Sequence, residues 1–152
     1  MNKAFDIILK PRIGLVKLVE SLSIGQLNEV PPGFNNNIIW NVGHLVATQQ
    51  GICYKRAGLD LKIDESTFLA YKAESRPERF IDKNEAENVC GLLISTIEQF
   101  ETDYNNNLFT NYTPWTTRYG VELSNIDQVI NFLPFHEGLH FGTIGAMKRL
   151  IG

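Results

Sequence analysis

Apolar residues in this chain recur at intervals of three and four, the period that lays one stripe along an α-helix. Phe5, Ile8, Leu9, Ile13, Val16, Val19 and Leu22 predict a first helix over residues 2–22. Pro11 lies inside it, lacking an amide and crowding the carbonyl of Ile7, so a kink or a start after residue 10 is expected. Ser23-Ile24-Gly25-Gln26 has capping-box spacing and predicts one short turn through Val30, after which Pro31-Pro32-Gly33 forces an extended connection. A second helix is predicted over residues 36–57, capped by Asn36 or Asn37 and stopped at Gly58. Its stripe is Ile38, Val42, Leu45, Gln49 and Ile52, and Trp40, Asn41, His44, Thr48 and Gly51 adjoin it.

Residues 59–81 hold no sustained period and many charges, which predicts a long, partly ordered crossover. A connection of that length can carry the chain along a bundle, so that the second and third helices run parallel. Asp82 with Glu85 caps a third helix over residues 83–108, in which Val89, Leu92, Leu93, Thr96, Ile97, Phe100, Tyr104 and Leu108 keep the period. Glu98, Glu101 and Asp103 form its expected solvated face. Residues 109–123 are rich in aromatic and turn residues, among them Tyr112, Pro114, Trp115, Tyr119 and Gly120, and predict either a lid or a plug at one end of the bundle. Ser124 with Asp127 opens a fourth helix over residues 124–151, with Pro134 inside it. The expected fold is all-α, one four-helix-bundle domain over residues 1–152, with the long crossover between helices two and three.

Composition narrows the function classes. The formal charge of −3, with no run of basic residues, argues against a nucleic-acid partner. Cys53 and Cys90 fall within helical patterns and lack Cys-x-x-Cys spacing, so they read as buried thiols suited to a reducing cytoplasm. No apolar signal region opens the chain and no stretch approaches about eighteen uninterrupted apolar residues, so neither membrane insertion nor export is expected.

The candidate chemistry lies in the fourth helix. Its core stripe reads Ile126, Val129 or Ile130, Leu133, His136, His140, Ile144, Met147 and Ile151, so the period assigns both histidines to the interior. Four residues apart on a helix, they stack on one face at about 5–6 Å, a separation that suits one shared ion. Two buried imidazoles on one stripe need a common partner, because an unpaired buried polar group costs about 1–3 kcal/mol. The third and last histidine of the chain, His44, borders the stripe of the second helix and can reach the same ion. Three protein ligands with a fourth position open are the usual arrangement of catalytic zinc.

The string His136-Glu137-Gly138-Leu139-His140 also fits the H-E-x-x-H pattern of zinc proteases, whose glutamate is a general base. Those enzymes take a third ligand downstream, and Phe141 to Gly152 contain no His, Asp, Glu or Cys. The third ligand is therefore expected upstream. Glu137 stands about 100° around the helix from His136, so a base, an acceptor behind the ligands or a solvated face all remain open to it. Thr48, one turn from His44, could hydrogen-bond in the site or simply pack.

Leu22-Ser23 with Gln26-Leu27, then Ile39-Trp40-Asn41-Val42-Gly43-His44-Leu45, then Tyr119-Gly120-Val121-Glu122-Leu123 ahead of His136-Glu137-x-x-His140-Phe141-Gly142-Thr143-Ile144, resembles the DinB-like superfamily of metal-binding four-helix bundles, which includes YfiT-type proteins. That resemblance implies an up-down-down-up bundle, a divalent ion such as zinc or nickel on His44, His136 and His140, and frequently a homodimer. It further implies a small-molecule substrate and a thiol S-transferase using a low-molecular-weight thiol, while an ion on three neutral imidazoles that lowers the pKa of a bound water leaves a hydrolase equally open. Catalytic residues beyond the metal ligands are not implied. Many relatives carry Gln after the last histidine where this chain has Thr143. The competing expectation is a non-catalytic binding or interaction module, whose ion pins helix two to helix four. A fourth protein ligand, or a site sealed by Trp40 and Trp115, would favour that module.

Overall fold

The computed structural model describes residues 2–152. Four long helices carry it: α1 (Lys3–Glu20), α3 (Ile38–Gln49), α5 (Lys83–Asn105) and α6 (Ile126–Leu150). Two short helices, α2 (Ile24–Asn28) and α4 (Glu65–Tyr71), and two two-residue strands, β1 (Trp115–Thr116) and β2 (Glu122–Leu123), complete the chain. α1 packs on α5 and α6, α3 packs on α5 and α6, and α4 lies on α3. The fold is all-α, with no sheet beyond the small antiparallel hairpin among the described residues.

Most helix starts fall where the capping chemistry puts them. Asn2, Asn37, Asp82 and Asn125 each accept an amide hydrogen bond from the first turn that follows. Ser23 and Gln26 form the reciprocal capping box of α2. For α6 the cap is Asn125 rather than Ser124, whose amide instead donates to Gln128 Oε1 at 2.7 Å. α1 runs through Pro11 without a late start; the carbonyl deprived of a partner belongs to Ile7, whose side chain is 52 % exposed, on the solvent side. After Gln49 the second long helix widens into a π-helical turn (Gln50–Tyr54), tightens into a 3₁₀ turn (Lys55–Ala57) and stops at Gly58 with φ of 71°.

Several sequence expectations are corrected. The crossover is partly ordered, and its ordered part is α4, whose Phe68 and Tyr71 are buried. The segment 109–123, expected as a lid or a plug, contains the β1–β2 hairpin, which that reading did not include. Asp103 is buried and not part of a solvated face, accepting hydrogen bonds from Tyr54 Oη at 2.6 Å and Gln99 Nε2 at 2.9 Å. In α1 the buried face includes Arg12 and Leu15, while Ile13 is exposed. Cys53 and Cys90 are free and buried, as expected.

The apolar interior divides into two clusters. One gathers Leu15, Val19, Ile38, Leu45, Phe68, Leu93 and Met147; the other gathers Phe5, Ile8, Tyr54, Phe100, Ile130 and Leu133. Between them lies Arg12, with no solvent exposure. Its Nε and Nη2 donate to Glu137 Oε2 and Oε1 at 3.0 and 2.6 Å, Nη1 donates to the carbonyl of Leu93 at 2.9 Å, and Nη2 donates to that of Leu45 at 3.2 Å. One side chain of α1 thus ties all the other long helices together at mid-bundle.

Candidate metal centre

The three histidines meet where α3 and α6 pack. Their ring centroids lie 5.4 Å apart for His44 and His136, 4.6 Å for His44 and His140, and 4.6 Å for His136 and His140. One nitrogen from each ring falls within 4.8 Å of the other two. No fourth His, Cys, Asp or Glu joins the cluster among the described residues. His44 is buried, and His136 and His140 are partly buried, keeping an edge in solvent where the period alone assigned them to the interior. Glu137 takes the interior position instead, 3 % exposed.

Two rings are oriented from behind. Tyr71 ends α4, so its carbonyl has no partner within the helix and is free to accept. It lies 2.8 Å from His44 Nδ1, which fixes the proton there and leaves the Nε2 lone pair facing Thr48 Oγ1 at 3.2 Å and the cluster. α4 can approach this closely because residue 43 is glycine; a Cβ there would stand 2.4 Å from the Tyr71 ring. Trp40 covers the other side of His44, stacked at 4.6 Å and 13°. His140 Nδ1 lies 2.8 Å from Asn41 Oδ1. The Asn41 amide donates to the carbonyl of Asn37 and to Asn36 Oδ1, both at 2.8 Å, so its oxygen must face His140 and accept from Nδ1. Carbonyl and carboxamide acceptors behind imidazoles are the customary supports of metal-ligating histidines.

The third ring lacks such a partner: His136 Nδ1 is buried and unpaired among the described residues. All three rings resist protonation. Burial is the main cause in each, lowering His136 to about 3, with the charges of its histidine neighbours, Arg12 and Arg118 adding to it. His140 is lowered to about 4 by burial, His44 and Arg118, and His44 is lowered by burial in spite of the Tyr71 carbonyl. Neutral imidazoles at pH 7, two of them oriented, one carrying an unpaired buried nitrogen, make a donor set that fits a borderline-soft divalent ion.

The structure brings together the three histidines expected from the sequence and sets Thr48 within hydrogen-bonding distance of His44, but the sequence did not point to Asn41 or Tyr71 as their supports. Asn41 was legible only as a polar residue in an apolar helix, and a backbone carbonyl such as that of Tyr71 leaves no side-chain signal. Glu137 is not placed as a general base, since both carboxylate oxygens are engaged by Arg12.

A helical protein with a three-histidine cluster able to hold a metal ion is the class that this geometry defines. The profile of the DinB superfamily matches residues 12–144, and the chain belongs to that superfamily. No curated protein matches it. No helix among the described residues is long and apolar enough to cross a membrane.

Proposed function

We propose that His44, His136 and His140 hold one divalent ion, zinc or nickel, and that the site acts on a small molecule as a thiol S-transferase or hydrolase. The observation that carries this reading is the ligand count: three imidazoles converge with no fourth protein ligand beside them, and two of the rings retain exposure to solvent. Structural zinc sites are closed by four protein ligands, whereas catalytic ones keep a position open. Such an ion supplies the Lewis acidity that makes a water or a low-molecular-weight thiol nucleophilic near neutral pH. The chain's own part is to keep the rings neutral by burial, to fix two tautomers through Asn41 and Tyr71, and to cover one side of His44 with Trp40.

The up-down-down-up order belongs to the same proposal. Contacts between helix ends support it: Asn28 Nδ2 donates to the carbonyl of Ile81, Tyr54 bonds Asp103, Tyr104 bonds Asp127, and the Gln26 side chain donates to the carbonyl of Gly152. We further propose one domain over residues 1–152, acting as a cytoplasmic homodimer, which sedimentation of the purified chain would test.

Cobalt substitution tests the functional reading. The cobalt protein titrated with 2-mercaptoethanol should develop a near-ultraviolet thiolate charge-transfer band, marking an open position on the ion. Cobalt that binds but shows no change with thiol or other small ligands would leave the non-catalytic module as the better reading.

A further inference from the structure

Three neutral imidazoles leave a divalent ion's charge uncompensated, and the acid adjoining them in sequence, Glu137, is engaged by Arg12. A second cation stands nearby. Arg118 is exposed and has no carboxylate within ion-pairing distance among the described residues. Its position is built by the hairpin: Trp115 pairs with Leu123 and Thr116 with Glu122. The amide of Gly120 closes the tip on the carbonyl of Thr117 at 2.9 Å, and Gly120 has φ of 80°. Arg118 and Tyr119 are therefore the two middle residues of the turn. Buried Thr117 steadies it, its Oγ1 accepting from the amides of Tyr119 and Val121 at 3.3 Å.

The tip leans on α6 beside the histidines. Tyr119 meets Phe135 edge to face at 5.2 Å, Phe135 immediately precedes His136, and Phe132 lies 6.0 Å from Phe135 and 6.5 Å from His136. Tyr119 and Phe135 are nonetheless 53 % and 49 % exposed, leaving an aromatic wall open to solvent.

Resting on the metal-site reading, we propose that Arg118, with Tyr119 and Phe135, is the recognition arm for a small organic ligand that carries an oxyanion at one end and offers its other end to the three-histidine site. A guanidinium without a carboxylate partner among the described residues, on a hairpin tip that rests on the residue before His136, is complemented by an anion. Its planar fork matches a carboxylate or sulfonate with two parallel hydrogen bonds. The exposed rings suit the apolar segment that joins the ligand's two ends.

The test uses the full-length cobalt protein and three thiols: 3-mercaptopropanol, 3-mercaptopropionate and 3-mercaptopropanesulfonate, compared at equal thiolate concentration by the charge-transfer band and by calorimetry. The wild type should bind at least one anionic thiol about tenfold more tightly than the alcohol, the size expected of a charge-assisted hydrogen bond. The better anion identifies the head group. This preference should shrink with added salt, as an exposed cation requires. Arg118→Met should abolish the preference without weakening the alcohol or cobalt, and Arg118→Lys should keep part of it. Equal binding of alcohol and anions by the wild type, or a preference that survives Arg118→Met, overturns the inference and leaves the metal site standing. Failure to bind cobalt overturns the metal-site reading and this inference with it.

Discussion

Glu137→Gln perturbs the contact on which the bundle is centred. The substitution keeps the size of the side chain but turns one acceptor of the Arg12 fork into a donor, leaving a guanidinium with no solvent exposure facing an N–H where a carboxylate stood. Removing one member of a buried ion pair costs about 3–5 kcal/mol, because the survivor is an uncompensated charge in a poorly polarisable interior. For a chain of 152 residues, that corresponds to a fall in melting temperature of about 10 °C. Arg12→Met should cost a similar amount by stranding the carboxylate. Replacing both, as Arg12→Met with Glu137→Leu, should cost less than either single change, because it joins the two apolar clusters that the pair now separates. Urea unfolding of the wild type, Arg12→Met, Glu137→Leu and the double variant closes the cycle, with Glu137→Gln measured beside it. A Glu137→Gln cost below about 1 kcal/mol, or a double variant whose cost equals the sum of Arg12→Met and Glu137→Leu, would refute the reasoning. The zinc-protease reading of His136-Glu137-x-x-His140 predicts instead that Glu137→Gln leaves stability unchanged.

Gly43→Ala places a methyl group 2.4 Å from the Tyr71 ring, so α4 must shift; a cost of about 1–3 kcal/mol, with weaker metal binding as the Tyr71 carbonyl leaves His44, is expected in melts and chelator competition. Asn41→Leu removes the acceptor behind His140 and should weaken zinc affinity about tenfold or more, measured by the same competition. In chelator-treated protein, His136 and His140 titrate near 3 and 4 when folded, against 6.5 when unfolded, so below pH 6.5 the unfolded chain takes up protons that the folded one refuses. The stability that these neutral rings contribute is complete above pH 6.5 and is lost as the pH falls through 4 and then 3. Thermal melts between pH 6.5 and 5 should therefore decline, and His136→Phe should flatten the decline; a melting temperature constant across that interval would contradict the assignment.

The long helices were legible because each buries a stripe over several turns, which the period of three and four records. α4 was not, since a helix of seven residues burying only Phe68 and Tyr71 shows no repeat. Arg12 misled the phase of α1: a charge is assigned to solvent unless its partner is visible, and Glu137 lies 125 residues away. Asp103 was misplaced for the same reason, its partner Tyr54 being carried inward on the π-helical turn. The histidine trio was legible because three residues of one kind exhaust the sequence's supply and two stand one helical turn apart. What orients them was not: the Tyr71 carbonyl is backbone, and Asn41 reads in the sequence only as a polar residue in an apolar helix.

Calorimetric titration of chelator-stripped protein with zinc, for the wild type and His140→Ala, tests the centre most directly. One ion per wild-type chain is predicted, with affinity lowered at least a hundredfold in His140→Ala, because two imidazoles from different helices hold an ion far less well than three. Absence of wild-type binding for zinc and nickel alike, or a His140→Ala protein that binds as tightly as the wild type, would contradict the three-histidine site.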